Sequence, residues 1–264
     1  MASTEEKIRY EVEGGVAIIT LVDPPANTYS HQMMRQLDEA ILRARFDGDV
    51  HVLLIRGDGE KFFCAGADIN MLRDADPTFK YHFCLHANET LNRLEQTPKL
   101  VIAALNGHTV GGGLEVAMAA DLRLAKQDGG KIGLPEVHLG VLPGTGGTQR
   151  LLRIVGKARA IEMMVEGKNF SFDEALELGI VQRLVPADGF DEAVLQYAQQ
   201  FVPPNKAARA VGLIKRAVQS GAESGFSEGL ALERELQQQL FNGDDAREGL
   251  AAYLEKRAPK FTAS

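Results

Sequence analysis

"LVIAALNGHTVGGGLEVAMAADLRLAK", residues 100–126, holds the pattern that decides the fold. Leu100 to Val110 is apolar and β-branched for most of its length, as in a strand buried in a sheet. Three glycines follow, Gly111 to Gly113, and then a run that is apolar on every side except at Glu115. That run reads as a short helix buried on most of its faces. The next stretch, "DLRLAKQDGGKIGLPE", gives strands around a Gly-Gly turn. Strand, glycines, helix and strand pair follow one another without a linker.

The same rhythm extends in both directions. Upstream, "IRYEVEGGVAIITLVD" is a two-stranded hairpin turning at Gly14-Gly15. "DPPANTYS" is a loop, and "SHQMMRQLDEAILRARFD" is a helix with Ser30 as its N-cap and apolar residues at Met33, Met34, Leu37, Ile41 and Leu42. "VHVLLIRGDGEKFFCAGAD" is strand, turn and short strand. "DPTFKYHFCLHANETLNRLEQTP" is helical at Phe79, Phe83, Ala87, Leu91 and Leu94, and Pro98 closes it. Strand pairs thus alternate with helices about every 40 to 50 residues, which predicts an α/β fold. After "RLVPADGF" there are four helical segments with no strand between them, and Asp245 and Glu248 have the spacing of a capping box for the last. The boundary is expected near "FVPPN", giving a core over 1–200 and a helical region over 201–264 suited to oligomerisation.

Composition narrows the function. A net charge of −7, with 45% hydrophobic and 25% charged residues, describes an ordinary soluble domain and argues against nucleic acid or an anionic membrane as partner. Cys64 and Cys84 have no metal-type spacing and read as free thiols in a reducing compartment. The opening "MASTEEKIRY" lacks an apolar core and is too acidic for a transit peptide, and no apolar run approaches about 18 residues. The expected location is the cytoplasm.

The glycines and Glu115 pose the chemical question. A helix N-terminus has unpaired N–H groups and a partial positive charge, and glycines there clear the way for a ligand. The result is a donor site for a developing oxyanion, with a carboxylate one turn further on. A plainer reading stays open: Glu in a first turn is favoured by the helix dipole alone, and glycines permit close packing. In "KIGLPEVHLGVLPGTGGTQRL" a second carboxylate, Glu136, lies between Leu134, Val137 and Leu139, before Gly140, Pro143, Gly144, Gly146 and Gly147. This spacing is not a dinucleotide fingerprint. Glu136 after Pro135 also fits a mere helix start. Were the two carboxyls to share one apolar site, one would hold a proton at neutral pH while the other stayed charged, which suits acid–base chemistry on carbon. "GEKFFCAGADI" adds a third piece. Ala65-Gly66-Ala67 at a strand corner lets the Ala67 N–H face a ligand and, with one N–H of the glycine triplet, complete an oxyanion hole.

"FFCAGADI", "NGHTVGGGLEVAMAAD" and "LPEVHLGVLPGTGGTQRL", in this order, resemble the crotonase (enoyl-CoA hydratase/isomerase) superfamily over almost the whole chain. The resemblance implies a crotonase-type spiral of ββα units followed by a C-terminal helical region that builds homotrimers, often paired into hexamers. It implies an acyl-CoA substrate whose thioester oxygen is held by the N–H groups of Ala67 and Gly112. Glu115 would deprotonate a water and Glu136 would deliver a proton, with the Gly144 N–H helping to hold that water. Two glutamates favour hydration of a trans-2-enoyl-CoA to a 3-hydroxyacyl-CoA. No metal and no separate cofactor are implied, coenzyme A entering as part of the substrate. For the CoA moiety the resemblance points to Ala26 in "PPANTYS", to Ala65, Asp68 and Ile69, and to Lys256, one turn after Tyr253, reaching a neighbouring subunit. Asn70 stands where the family often has a basic residue, which removes one phosphate contact. An isomerase or an aromatic acyl-CoA hydratase-lyase would use the same scaffold, and a CoA- or RNA-binding module without catalysis is the remote alternative. His82 and His86 sit four apart with no third ligand near, His138 is expected to pack beneath the pocket, and Met33, Met34, Met71, Met163 and Met164 to line the core or the acyl pocket.

Overall fold

The computed structural model describes residues 5–263, so Met1 to Thr4 of the opening stretch and Ser264 lie outside it. The hairpin is present: β1 (Ile8–Glu13) pairs antiparallel with β2 (Val16–Leu21), and Gly14 and Gly15 supply the positive φ angles that a tight hairpin turn requires. Helix α1 (His31–Phe46) begins at Ser30, whose hydroxyl accepts the Met33 N–H. Then come β3 (Val52–Gly57), β4 (Phe62–Cys64), the short α2 (Ile69–Asp74) and α3 (Pro77–Glu95), which Asp76 caps.

The run from Leu100 to Val110, expected as a single strand, is two: β5 (Leu100–Leu105) and β6 (His108–Val110), and they belong to different sheets. The same split separates β3 from β4, and β7 (Leu122–Lys126) from β8 (Lys131–Gly133). Each of these three strand pairs therefore lays its first strand on one sheet and its second on the other. The large sheet has the order β1-β2-β3-β5-β7-β10, with β10 at Arg183–Val185 and every pair after the hairpin parallel. The small sheet has the order β4-β6-β8-β9, with β9 at Phe170–Ser171. Asn106 makes the corner. Its amide oxygen accepts the Gly57 N–H (3.0 Å), and its amide nitrogen donates to the carbonyls of Gly57 (3.0 Å) and Gly59 (2.7 Å). The polar backbone freed by two neighbouring corners is thereby satisfied inside the protein.

The remaining helices of the core are α4 (Gly112–Met118), α5 (Gly147–Val155), α6 (Lys157–Glu166) and α7 (Phe172–Glu177). Alternation along the large sheet builds two cores. Ile19, Leu53, Ile55, Val101 and Ala103 face Leu37, Leu91 and Leu114, whereas Val52, Leu54, Ile102 and Leu124 face Phe190, Val194 and Ala198 of α8 (Phe190–Gln199). Met33 and Met34 are buried in the first core, with Met163 at its edge.

The tail is α9 (Ala208–Glu223), α10 (Phe226–Phe241) and α11 (Asp244–Glu255). Helix α9 is clasped to the core by a buried ion pair. Lys215 Nζ lies 2.9 Å from Asp121 Oδ2 and donates to the Lys99 carbonyl, and Gln219 donates to Asp121 Oδ1. The expected capping box at Asp245 and Glu248 is not formed. Gly243 is the N-cap, Asp245 accepts the N–H groups of Thr262 and Ala263, and Glu248 pairs with Arg257. The chain end, folded back on α11, takes both carboxylates from the role that local spacing gave them.

Candidate active site

Three adjacent parallel strands of the small sheet end at one place. Ala67 follows β4, Gly112 follows β6 and Glu136 follows β8. The first of these corners is shaped by Tyr29, whose N–H donates to Gly66 O (2.9 Å) and whose carbonyl accepts the Asp68 N–H (3.1 Å). Such a bridge turns the N–H of the residue between them, Ala67, to the opposite side. Gly66, at φ +92°, brings the corner close enough that a β-carbon there would lie 3.0 Å from the Gly112 nitrogen. Gly112 and Gly113 admit no β-carbon: one would overlap the Tyr29 hydroxyl and the other the Cys64 carbonyl. Among the described residues the N–H groups of Ala67, Gly112 and Gly144 find no acceptor. Unpaired N–H groups of this kind are what an oxyanion hole and a water site require.

Glu115 lies in the first turn of α4 and is 2% exposed. Its carboxylate reaches the N-terminus of α5. Oε1 accepts the N–H groups of Thr145 (2.8 Å) and Gly147 (2.7 Å), and Oε2 accepts the Thr145 hydroxyl. Burial pushes its pKa up, and these three donors, with Arg150 further off, pull it back. A carboxylate offers about four lone-pair sites, so one, on Oε2, stays open. The helix dipole of α5 adds to the stabilisation of the anion.

Glu136 has a different environment. It opens a one-turn 3₁₀ helix (Glu136–Leu139) behind Pro135, rather than the α-helix start with Pro at its first position that the sequence allowed. Its Oε1 faces Gly111, where a β-carbon would stand 3.0 Å away, and its Oε2 is buried with no hydrogen-bond partner. Burial pushes its carboxyl up to about 7. A bond from its own N–H works against this, the Glu115 charge adds to it and Lys80 offsets part. One carboxyl is thus held by three donors, and the other is biased toward its protonated form.

Gly144 is packed by α3, where Asn88 donates to its carbonyl (3.4 Å) and Cys84 Sγ would lie 3.4 Å from a β-carbon. Ala26 and Ala65 are joined by an Ala65 N–H to Ala26 O bond of 3.0 Å, which sets both beside Ala67. The Asp68 carboxylate caps α2, accepting the N–H groups of Asn70 and Met71, while Ile69 and Asn70 are exposed. Lys256 is not brought to this cluster; it follows α11 as its C-cap with φ +54°, and its side chain has no partner among the described residues. His138 lies 3.2 Å from the Gly167 carbonyl, packed against the end of α6. A cleft of about 1150 Å³ between α3, α5 and α9 is lined by Pro143 and Gly144 but by neither glutamate. Thr145, Gly147 and Tyr29 went unassigned by sequence reasoning. The only signal was "GTGG" beside the second glutamate's loop, with nothing in it to name Glu115 as the partner some 30 residues earlier.

With this geometry in view, the likenesses to known proteins are informative. A family model described as enoyl-CoA hydratase/isomerase matches residues 11–264. The chain is 40% identical over 260 residues to "Probable enoyl-CoA hydratase echA8" of Mycobacterium bovis, covering 98% of this chain and 99% of that one. It is 36% identical to the short-chain-enoyl-CoA hydratase of Clostridium acetobutylicum over 94% of each. A crystal structure of an enoyl-CoA hydratase from Geobacillus kaustophilus superposes with a TM-score of 0.96 at 46% identity, covering 98% of both chains. The chain belongs to the enoyl-CoA hydratase/isomerase family, within the crotonase superfamily, and is an enzyme of that family. Its fold is the crotonase fold with C-terminal helices.

Proposed function

We propose that the protein hydrates a trans-2-enoyl-CoA to a 3-hydroxyacyl-CoA. The observation that carries this reading is the contrast between the two carboxyls: Glu115 held by three donors with one lone pair open, Glu136 half-buried with its Oε2 unpaired among the described residues and pushed up to about 7. The thioester oxygen accepts the N–H groups of Ala67 and Gly112. Water sits between the open lone pair of Glu115 Oε2 and the Gly144 N–H. As the water oxygen bonds to C3, Glu115 takes its proton and charge moves to the thioester oxygen, where the two donors bind it more tightly than in the ground state. The enolate then takes the Glu136 proton at C2. Because the carboxyls interact, the assignment of acid and base describes one microstate of the pair.

Coenzyme A arrives with the substrate, against Ala26, Ala65, Asp68 and Ile69, and no further cofactor takes part. The apolar side chains that α9 to α11 leave exposed, Ile214, Val218, Phe226, Phe241 and Leu254 among them, support assembly into trimers or hexamers. In such an assembly Lys256 would reach a neighbour's CoA.

The test is loss of the enoyl-thioester absorbance of crotonyl-CoA. Glu115→Gln and Glu136→Gln should each lower kcat at least ~10²-fold while the protein stays folded. Near-normal turnover in either variant refutes the assignment. Turnover of a 3-enoyl-CoA without hydration would instead make the enzyme an isomerase.

A further inference from the structure

We infer that Tyr29 and Thr145 form a buried hydroxyl relay that positions Glu115, leaving its carboxylate one open lone pair and stabilising its charged form. Tyr29 is 2% and Thr145 3% exposed, and their hydroxyl oxygens are 3.1 Å apart. Thr145 also donates to Glu115 Oε2. The direction of the relay follows from proton counting. An ionised carboxylate only accepts, so the single Thr145 proton points to Glu115, and the Tyr29 O–H must donate to Thr145. Oε1 is saturated by two backbone N–H groups. Thr145 therefore decides which lone pair of Oε2 remains for a water; without it two directions are open.

Tyr29 contributes more than a hydroxyl. Its backbone forms the bridge that turns the Ala67 N–H outward, and its hydroxyl occupies the space that a side chain at Gly112 would need. Phe83 packs against its ring at 6.0 Å between centroids. One residue, through its backbone at Ala67 and its side chain at Gly112 and Thr145, thus ties the carboxylate to both N–H groups. Thr145 and Tyr29 are positioning residues, since each acts through Glu115. The kinetic part of the inference rests on the hydratase reading.

The experiment compares wild type, Thr145→Val, Thr145→Ser, Tyr29→Phe and the double variant Tyr29→Phe/Thr145→Val. The double variant removes both hydroxyls and leaves neither orphaned, which guards against misfolding of a single variant. Two readouts are taken over pH: kcat/KM for crotonyl-CoA, and the Glu115 carboxylate band in isotope-edited infrared spectra, identified as the band missing from Glu115→Gln. Losing a hydrogen bond to a charged group should raise the pH of half-protonation by about one unit, a tenfold change in proton affinity. In Thr145→Val both the band midpoint and the acid limb of kcat/KM should move up by that amount, with kcat falling several-fold and KM little changed. Tyr29→Phe should move both in the same direction by less, and Thr145→Ser should restore the wild-type profile.

Lower thermal stability with an unmoved band and acid limb would overturn the relay and leave a packing role. A band that moves in Thr145→Val while the wild type hydrates nothing would uphold the relay and refute the hydratase reading instead.

Discussion

Glu136→Gln should make the protein more stable at alkaline pH while removing most of its activity. The folded protein holds the Glu136 proton up to about pH 7, against an ordinary value of 4.5. Below pH 4.5 the carboxyl is protonated in the folded and unfolded chains alike. Between 4.5 and 7 the unfolded chain releases its proton and the folded chain does not, so the folded state loses stability as pH rises through that window. At about 1.4 kcal/mol per pH unit the gap bounds the loss at about 3.5 kcal/mol. Glu136 is only half-buried, and solvent screening reduces the expected loss to about 1 to 2 kcal/mol. Gln cannot ionise and escapes it. Urea unfolding of both proteins at pH 5 and pH 8.5, at one protein concentration, gives the difference directly. The amide of Gln brings its own unsatisfied donors, but this cost is common to both pH values and cancels. The stability advantage of the variant should grow by about 1 to 2 kcal/mol from pH 5 to pH 8.5, or about 2 to 6 °C in Tm for a chain of this size. An advantage equal at both pH values would refute the buried, proton-holding Glu136.

Two further outcomes follow from packing. Gly112→Ala places a methyl on the Tyr29 hydroxyl and ring, so it should cost ~10²-fold or more in kcat through a displaced donor and about 1 to 3 kcal/mol in stability; wild-type kinetics would show that Gly112 is no donor. Lys215→Ala strands the buried Asp121 carboxylate, and should destabilise the protein by about 3 to 5 kcal/mol and expose α9 to limited proteolysis; a loss under about 1 kcal/mol would mean that α9 is held by its apolar contacts alone.

Much of this was legible in the sequence because it is local. The Gly14-Gly15 hairpin, the Ser30 cap of α1 and the apolar face of α3 depend on residues a few positions apart, and the structure has them. The glycine triplet and Glu115 were legible because each is costly without a use. The division into two sheets was not, since Asn106-Gly107 is only a short polar break in the run and the partners that make Asn106 a corner lie near 57. Asp245 shows the same limit in reverse: a sound local rule lost to the chain end folding back. The partners of Glu115 were hidden for the same reason: Thr145 and Gly147 lie 30 and 32 residues away from it, and Tyr29 lies 116 residues from Thr145.

The convergence of Ala67, Gly112 and Glu136 on three neighbouring strand ends also constrains how this enzyme can change. Neighbouring strands stand about 4.8 Å apart whatever their side chains, so the hydrogen-bonded ladder works as a ruler between the N–H groups that follow β4 and β6 and the carboxyl that follows β8. Residues following β8 can be exchanged, lengthened or shortened without moving the graduations set by β4 and β6. On the hydration proposed above, a new reaction would need only a different group at the third mark, with the two N–H groups after β4 and β6 left where they are.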